Sequence, residues 1–492
     1  MALVKRLLTA PVVAPEVPRR RSVDYAAGAM GRLTYGMASY SLSANQEVER
    51  SGRVVRARSR ELARDNAHAK KFLQMVETNV VGPDGVILQS KAGDWDAKGN
   101  FKLDSVANGI IEREWRLWGY RGCDVTHRLS WPAIQRLYAR TMARDGEVLL
   151  RLIRDPKRNR HGLSLQFIDI DRLDERYSGI APNGNIIRMS IELNREGRAV
   201  AYWIMNRHPG DWRTVMTDTN ERERVPADQV IHDFVQDRPE QIRGIPWMHA
   251  AILRLNHLGA FDEAAIIAAR IGAAKMGFFT TADGDMTGLA DDEDADGNLI
   301  TDAEPGTFHR LSRGESFTAF DPKYPEANYE AFTKACLRGI ASGFGVSYNS
   351  LASDLEGVSY SSIRQGVLDE RDVWKTLQTV VVDGLCRPVN HAWLETSLLL
   401  GQLGVLPASK IQKFKADTWQ PRRWSWVDPL NDIEAAKLGV ELGVTSRSRI
   451  AAESGADFED VTLENEQDMK LLREKGLLLA EKKTEPAPAQ SE

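Results

Sequence analysis

The chain has 492 residues, of which 42% are hydrophobic and 27% are charged, enough apolar material for two or three buried cores. Its formal net charge of -4 argues against a protein that grips nucleic acid over a broad basic face. If the protein meets DNA, this charge favours a surface along which DNA slides.

Three cysteines, Cys123, Cys336 and Cys386, lie far apart and form no paired motif, which is typical of a reducing compartment. The N-terminal segment has no uninterrupted apolar stretch, so no signal peptide is predicted. No segment approaches the roughly 18 apolar residues of a membrane span. We therefore expect a soluble chain in the cytosol.

Residues 1–50 are rich in Pro, Ala and Ser and predict a flexible N-terminal arm, either a disordered tail or a docking or processed segment. Apolar residues at helical spacing then predict three helices, the last beginning after Ser130 as N-cap. These helices are expected at 59–80, 110–119 and 131–146.

Strands follow this helical stretch. Apolar-rich segments predict strands at 147–154 and 163–170, and another is predicted at 226–234. The clearest hairpin signal spans 187–204, where apolar and polar residues alternate before a turn at 194–197. Residues 51–247 therefore predict one α+β lobe.

Residues 248–275 predict one long helix, about 40 Å at a rise of 1.5 Å per residue. Seven of the fifteen residues from Ala260 to Ala274 are alanine. Small residues spaced by four allow another helix to approach closely, and packing inside the chain explains the spacing equally well. The alanines of this candidate packing face are Ala260, Ala264, Ala265, Ala268, Ala269 and Ala273.

The helical pattern breaks at 276–326, where strands predicted at 277–281 and 315–320 flank an acidic loop. A short helix is predicted at 328–343. A longer one follows at 361–400, and Pro388 is expected to kink or interrupt it. Beyond residue 428 the pattern predicts two or three short helices and an acidic tail.

Residues 345–360 predict a long loop between two helices, with two acids and no Lys or Arg. A loop of about fifteen residues without its own structure is usually functional or disordered. Its candidate functional residues are Ser347, Tyr348, Asn349, Ser350, Ser353, Asp354, Glu356 and Ser359.

Common catalytic motifs are missing from the sequence, which holds no P-loop, no G-x-S-x-G and no zinc-like Cys/His cluster. No catalytic residue and no cofactor are therefore predicted. Asp169 and Asp171, with Asp174 nearby, leave a two-metal nuclease as a weaker hypothesis, because alternate residues of a strand point the same way.

Three further patterns favour structural interpretations. The loop 291–304 matches half of a calcium-binding loop but has Ala303 where a glutamate is needed, so a solvated acidic loop is favoured over weak divalent-ion binding. His391 and Glu395 stand one helical turn apart, and a structural contact is favoured over metal ligation. A cluster of Trp and Arg residues could stack on nucleic acid, but packing of these side chains inside the chain is favoured. That cluster comprises Trp419, Arg422, Arg423, Trp424 and Trp426.

Several stretches, taken in order and spacing, resemble the lambda family of phage portal proteins over nearly the whole chain. They are ARSRELARDNAHAKKFLQMVETNVVG (57–82), DGEVLLRL (145–152), LQFIDIDRL (165–173), GRAVAYWIMNRHP (197–209), VIHDFVQDRPEQIRGIPW (230–247), EPGTFHRLSRGE (304–315), LRGIASGFGVSYNSLASDLEGVSYSSIR (337–364) and WVDPLND (426–432).

The resemblance implies a mainly helical α+β portal fold that assembles as a ring of about twelve subunits. The regions that it implies are a wing at 51–247, stem helices at 248–275 and 327–344, a clip at 276–326, a tunnel loop at 345–360, a long helix returning to the wing at 361–427, and crown helices with an acidic tail at 428–492.

As a function, the resemblance implies a channel at one capsid vertex through which double-stranded DNA is packaged and later ejected. The implied partners are the terminase motor, head-completion or tail adaptor proteins, and capsid and scaffold proteins, with no membrane. The implied location is the virion, with host cytoplasm during assembly. Two alternatives stay open: a metal-dependent nucleic-acid enzyme using Asp169 and Asp171, and an assembly scaffold that never contacts DNA.

Overall fold

The structure is a computed structural model that divides into two units, Met1–Ser43 and Ala44–Glu492. In the first unit, residues 35–43 form turns and irregular backbone. The residues that the structure describes are 32, 35–95, 98–99, 101–211, 221–273, 277–281, 292–293, 299–300, 315–319, 329–356, 359–424, 429–454 and 458–475.

The described part of the second unit is mainly helical. Its α-helices are α1 (Ala44–Asp65), α2 (Ala67–Val76), α3 (Ser105–Leu117), α4 (Trp131–Asp145), α5 (Ile252–Ala273), α6 (Tyr329–Phe344), α7 (Tyr348–Ala352), α8 (Tyr360–Val381), α9 (Arg387–Leu399), α10 (Ile411–Phe414), α11 (Pro429–Glu441), α12 (Arg447–Ser454) and α13 (Phe458–Glu474). π-Helical turns continue α2, α3 and α8 at Glu77–Val81, Trp118–Gly122 and Val382–Cys386.

Short strands complete the described elements of this unit. They are β1 (Ile87–Ser90), β2 (Gly93–Trp95), β3 (Phe101–Leu103), β4 (Glu147–Arg154), β5 (Leu163–Ile168), β6 (Gly179–Ile180), β7 (Ile186–Arg188), β8 (Ile191–Leu193), β9 (Ala199–Met205), β10 (Arg222–Pro226), β11 (Val230–Phe234), β12 (Gly277–Thr281), β13 (Asp292–Glu293), β14 (Leu299–Ile300), β15 (Glu315–Ala319) and β16 (Asp417–Gln420).

Helix α1 begins earlier than the sequence predicts, so residues 44–50 of the expected arm are helical. The side chain of Asn45 holds this start: it donates to the carbonyl of Glu240 at 2.7 Å and accepts from the amide of Ile242 at 2.9 Å. Both partners lie almost two hundred residues away in sequence, and no local pattern reveals them.

The helix predicted over 59–80 is divided at Asn66. The side chain of Asn66 caps α2 by accepting from the amides of His68 and Ala69 at 3.0 and 3.1 Å. Helix α2 still buries the predicted apolar face, which packs into the main core. The buried members of this face are Ala69, Phe72, Leu73 and Val76.

Two antiparallel sheets form the β part of the lobe. Strands β4 and β5, both predicted from the sequence, pair antiparallel and are joined by β11, in the order β11-β4-β5. The second sheet has the order β10-β9-β8-β7-β6 and contains the hairpin predicted over 187–204 as β8 and β9. Leu149 of β4 packs in one cluster with Ile191 and Tyr202 of this second sheet, and the two sheets therefore share a core.

The strand expected to run from Ile187 to Leu193 is instead two strands, β7 and β8, that pair antiparallel with each other. Met189 and Ser190 between them both have positive φ, as a type I′ turn requires. The turn is buried, and neighbours satisfy its backbone: Arg243 donates to the Met189 carbonyl at 3.2 Å. This tertiary contact overrides the alternating pattern, which by itself indicates one strand.

A buried ionic cluster joins α1 to both sheets. Glu147, at the start of β4, is fully buried and accepts from Arg56 of α1 at 2.8 Å and from Arg243 at 2.8 Å. His232 of β11 lies 3.0 Å from the same carboxylate. Arg56 also donates to Glu175 at 2.8 Å. Each buried charge therefore faces an opposite charge, without which burial would be strongly unfavourable.

Five tryptophans bring the C-terminal helix α9 and strand β16 against α3 and α4. Their ring centroids lie between 4.8 and 6.3 Å apart across the cluster. Trp419 is buried there, while Trp424 donates to Asn79 at 2.9 Å, so both pack inside the chain as predicted; Trp426 lies outside the described residues. The clustered rings are those of Trp115, Trp118, Trp131, Trp393 and Trp419.

Helices α8 and α9 run on from one another through the π-helical turn Val382–Cys386, immediately before Pro388. Proline cannot donate to the carbonyl four residues earlier, and its ring collides with that carbonyl in a regular helix. The wider turn relieves this collision, so Pro388 interrupts the α-helical pattern as predicted. Gly384 lies within this turn, where the Cβ of any other residue would come 2.0 Å from the Asp233 carboxylate.

We predict that Glu147→Gln destabilises the protein. The substitution keeps the side-chain shape but leaves two buried guanidiniums without their shared anion, which costs about 3 kcal/mol of unfolding free energy. Chemical denaturation followed by circular dichroism measures the loss. The matched control is Glu223→Gln, which removes a partner of Arg151 at the surface and should cost less than about 1 kcal/mol. Equal losses in the two variants would contradict the prediction.

The effect should also depend on pH. Burial alone raises the pKa of Glu147, but the neighbouring guanidiniums and His232 lower it well below its ordinary value. A depressed folded-state pKa gives stabilisation that is present above the unfolded-state pKa of about 4.3 and is lost as the pH falls below it. The stability difference between the wild type and Glu147→Gln should therefore shrink below about pH 4. A difference that stays constant as the pH falls well below about 4 would argue against the ionic origin.

Candidate functional site

Helices α5 and α6 form an antiparallel pair. Ala251, just before α5, lies beside Gly343 of α6, and Arg254 of α5 lies beside Gly339, whereas Phe261 contacts the start of α6. The Phe261 ring stacks on Tyr329 with centroids 5.6 Å apart and meets Phe332 edge-on at 5.0 Å. The Tyr329 hydroxyl donates to Asp262 at 2.9 Å. Strands β12 and β15, which follow α5 and precede α6 and are both predicted from the sequence, pair antiparallel with each other.

The six candidate alanines of α5 do not share one face. Ala265 is buried inside the chain, Ala268 is half-buried, and Ala260, Ala264 and Ala269 are exposed. The side chain of Ala273 lies outside the described residues. Only some of the alanines are therefore available for packing against another subunit.

Ala260 and Ala264 belong to an exposed and largely apolar face of α5, which we call the outer α5 face. Its members recur at intervals of four and three residues, the spacing of one side of a helix. Leu253 is 65% exposed and Ile267 is 47% exposed, although a large apolar side chain gains free energy from burial. The outer α5 face comprises Leu253, His257, Ala260, Ala264 and Ile267.

The segment between α6 and α8 is not the structureless loop that the sequence predicts. Gly345, with φ of +69°, ends α6, and Ser347 then caps the short helix α7 by accepting from the amide of Ser350 at 3.3 Å. Ser353, with φ of +55°, ends α7. Residues 345–356, which contain α7 and belong to the tunnel loop that the family resemblance implies, are called the channel loop below. Ser359 beyond it caps α8.

Glu370 of α8 contacts the beginning of α7. Its carboxylate accepts from the amide of Ser347 at 3.2 Å and from the hydroxyl of Ser350 at 2.9 Å. The indole of Trp374, one turn further along α8, donates to the same carboxylate at 3.0 Å. The channel loop is therefore attached to α8 by hydrogen bonds to a charged acceptor, which are stronger than neutral ones.

Helix α6 contacts the other end of the channel loop. The Lys334 ammonium lies 3.6 Å from the Asp354 carboxylate and 3.7 Å from that of Glu356. Arg338, one turn later, lies over the Tyr348 ring at 5.4 Å from its centroid. Tyr348 donates to Asp354 at 2.7 Å, and this bond is the main reason why the pKa of Asp354 is lowered. Asp354 is therefore ionised at neutral pH, with a cation beside it.

The eight candidate loop residues therefore differ in their contacts and in their exposure. Ser347, Tyr348, Ser350 and Asp354 bind each other, α6 or α8; Asn349 is half-buried, and the remaining three are exposed. Sequence reasoning missed Lys334, Arg338 and Glu370. The spacing of Lys334 and Arg338 by four places both on one face of α6, which is a usable signal. For Glu370 the sequence offers none, because only folding brings α8 beside α7.

The acidic candidates Asp169 and Asp171 lie just after β5, not within a strand as predicted, and Asp169 caps a short 3-10 turn. With His208 they are close enough to hold an ion. Arg60, however, donates to Asp169 at 3.0 Å and to Asp171 at 2.7 Å, and Arg56 donates to Asp171 at 2.9 Å. Two guanidiniums thus occupy the place of a divalent ion, and these acids fit an ion-pair network better than a catalytic metal centre.

The remaining candidates have structural partners or lie outside the described residues. His391 approaches Asp417 at 3.6 Å and Glu395 pairs with Lys415 at 2.8 Å, so they face different groups, in agreement with the structural interpretation. In the acidic segment 291–304, Asp292 pairs in strand register with Ile300. Its other candidate ligands lie outside the described residues. None of the described helices is long and apolar enough to cross a bilayer.

The sequence profile described as phage portal protein, lambda family, matches residues 30–378, and the chain belongs to this family of phage portal proteins. Portal proteins have a structural rather than an enzymatic role.

Individual relatives span most of the chain. A probable portal protein of Halomonas phage phiHAP-1 is 37% identical over 452 residues, covering 91% of this chain and 85% of the relative. Portal protein B of Escherichia phage lambda is 20% identical over 456 residues, covering 86% and 84%. A chain from the neck of an empty GTA particle, solved with C6 symmetry, aligns with a TM-score of 0.42 and 14% identity, covering 83% of this chain and 94% of that one.

Proposed function

We propose that this chain is the subunit of a ring of about twelve copies at one capsid vertex, with the channel loop facing the DNA that passes through. DNA enters during packaging and leaves during ejection. The segment 276–326 meets the terminase motor and later the tail adaptor proteins, and the C-terminal helices face the capsid interior. The observation that carries the proposal is the family match, which spans α1 to most of α8 and includes the channel loop.

Charge supports the role of the channel loop. A conduit must not bind DNA tightly, because each Lys or Arg contact with phosphate adds affinity. Residues 345–360 contain no Lys or Arg. Lys334 offsets part of the charge of Asp354 and Glu356, which makes the loop surface polar and mildly acidic rather than strongly repulsive.

The outer α5 face supports ring assembly. Leu253 and Ile267 are exposed in the single chain, whereas Ala260 and Ala264 between them are small. Such a face allows a helix of a neighbouring subunit to approach closely while the two large side chains become buried. In this proposal α5 packs against the corresponding region of the next subunit, and no cofactor or metal is involved.

The first experiment is a mass measurement of the purified protein by mass photometry, with negative-stain electron microscopy of the same sample. We expect rings of about twelve subunits with a central hole. Monomers or dimers that persist at high concentration and in the presence of capsid proteins would contradict the proposal. They would favour a scaffold that never contacts DNA.

We predict that Ala264→Leu lowers the yield of rings several-fold, because the larger side chain holds neighbouring helices apart on the outer α5 face. Ala265 is a poor position for this test, since its side chain is buried inside the chain. Mass photometry measures ring yield, and circular dichroism checks that the subunit folds. The matched control is Ala67→Leu at an exposed alanine at the start of α2. Equal ring yields in the two variants would show that the outer α5 face is not an interface.

We predict that replacing Asp354 and Glu356 together by lysine slows DNA packaging several-fold, because the new cations attract phosphate at every subunit. Packaged DNA per particle against time is the measurement. A charge-matched control replaces Asp84 and Glu196, both in exposed turns, by lysine.

The Asp354→Asn, Glu356→Gln variant separates the effect of charge from that of hydrogen bonding and should package DNA at nearly the wild-type rate. Wild-type packaging by the lysine variant would place the loop away from DNA.

A further inference from the structure

The carboxylate of Glu370 connects α8 to the beginning of α7, twenty residues earlier in the chain at Ser350. It accepts from the Ser347 amide and the Ser350 hydroxyl with one oxygen, and from the Trp374 indole with the other. Trp374 is only 2% exposed, so its indole holds the carboxylate in a fixed orientation toward α7. The Glu370 carboxylate is therefore bound to the buried Trp374 on one side and to the beginning of α7 on the other.

Close packing does not explain the attachment on this side of α7. Ser350 and Glu370 both line an open cavity of about 350 Å³, together with Trp374 and Trp424. Leu351, the buried residue of α7, anchors the helix in the main core. Tyr348 and Ala352 of α7 pack partly against the same core. Such apolar contacts are non-directional, whereas the Glu370 bonds add direction.

The direction of α7 determines where the exposed end of the channel loop lies. Leu355 is 64% exposed and the Glu356 side chain is 83% exposed, and both follow α7 directly. At this end Tyr348 and Lys334 contact Asp354, whereas the exposed Glu356 carboxylate lies 3.7 Å from the Lys334 ammonium, which is a weak restraint. The Glu370 contacts constrain the other end of the loop, where the backbone amide of Ser347 is itself a donor.

We propose that Glu370 is the positioning residue of the channel loop, holding α7 in one orientation so that every subunit presents residues 353–356 to DNA at the same place. The importance of that placement for DNA rests on the proposed function, whereas the anchoring itself does not. The carboxylate is suited to this role because its two oxygens serve three donors. Glutamine has only one acceptor oxygen and must lose at least one of these bonds.

Hydrogen–deuterium exchange of the purified full-length protein tests the anchoring. In Glu370→Ala, we expect amides in peptides covering 346–352 to exchange about tenfold faster than in the wild type, because a charged acceptor is lost. Glu370→Gln should give an intermediate rate. The matched control is Asp369→Ala, which removes the neighbouring acid, whose contact is with Gln365, and should leave these peptides unchanged.

Wild-type exchange rates at 346–352 in Glu370→Ala would overturn the proposal. If this variant does not fold, Ser350→Ala removes one donor and leaves Glu370 in place. Faster exchange confined to the same peptides then supports the proposal, and unchanged exchange overturns it.

DNA packaging distinguishes positioning from a general structural role. We expect Glu370→Ala to form rings at wild-type yield but to package DNA several-fold more slowly, with partial rescue by Glu370→Gln. Loss of ring yield and packaging to the same degree would indicate a structural role and overturn the positioning role. If wild-type rings do not pass DNA, the proposed function fails while the exchange result stands by itself.

Discussion

Glu147 is a carboxylate in the interior of the second unit, where a lone negative charge would be too unfavourable to persist. Arg56, Arg243 and His232 surround it, and they come from α1, from the segment before α5 and from β11. Removing one partner leaves the remaining buried charges incompletely compensated, which is unfavourable, so the cluster constrains the relative positions of these elements. Arg243 extends the constraint to the β7–β8 turn, whose positive-φ backbone depends on it.

The helix pair and the channel loop are built onto this lobe. Helix α6 holds one end of the loop through Lys334 and Arg338, and α8 holds the other through Glu370. Helix α8 continues through its π-helical turn into α9, which packs in the tryptophan cluster of the lobe. A contiguous set of helices and packed rings thus connects the α+β lobe to the loop proposed to face DNA.

The contacts of Lys334 change the electrostatic argument for the channel. The loop sequence contains two acids and no Lys or Arg, which by itself indicates that the assembled ring repels DNA at this level. In the folded chain, Lys334 lies beside both of them, while the Tyr348 hydroxyl donates to Asp354. The loop surface is therefore polar with a modest excess of negative charge, which still avoids tight phosphate binding.

The folded chain also places Arg60 against both Asp169 and Asp171, so these acids are neutralised by an arginine, which removes the main support for the nuclease hypothesis.

The sequence by itself determined the elements whose signals are local. Helix α4 with its glycine end at Gly146, the strands β4 and β5, and helix α6 follow from capping residues, turns and apolar periodicity. The motif order also determined the family. Only the tertiary structure decided the early start of α1 at Asn45, the buried turn at Met189, and α7 with its anchor Glu370. Each of these depends on a hydrogen bond or ion pair to a residue distant in the chain, and such bonds leave no periodic trace in sequence.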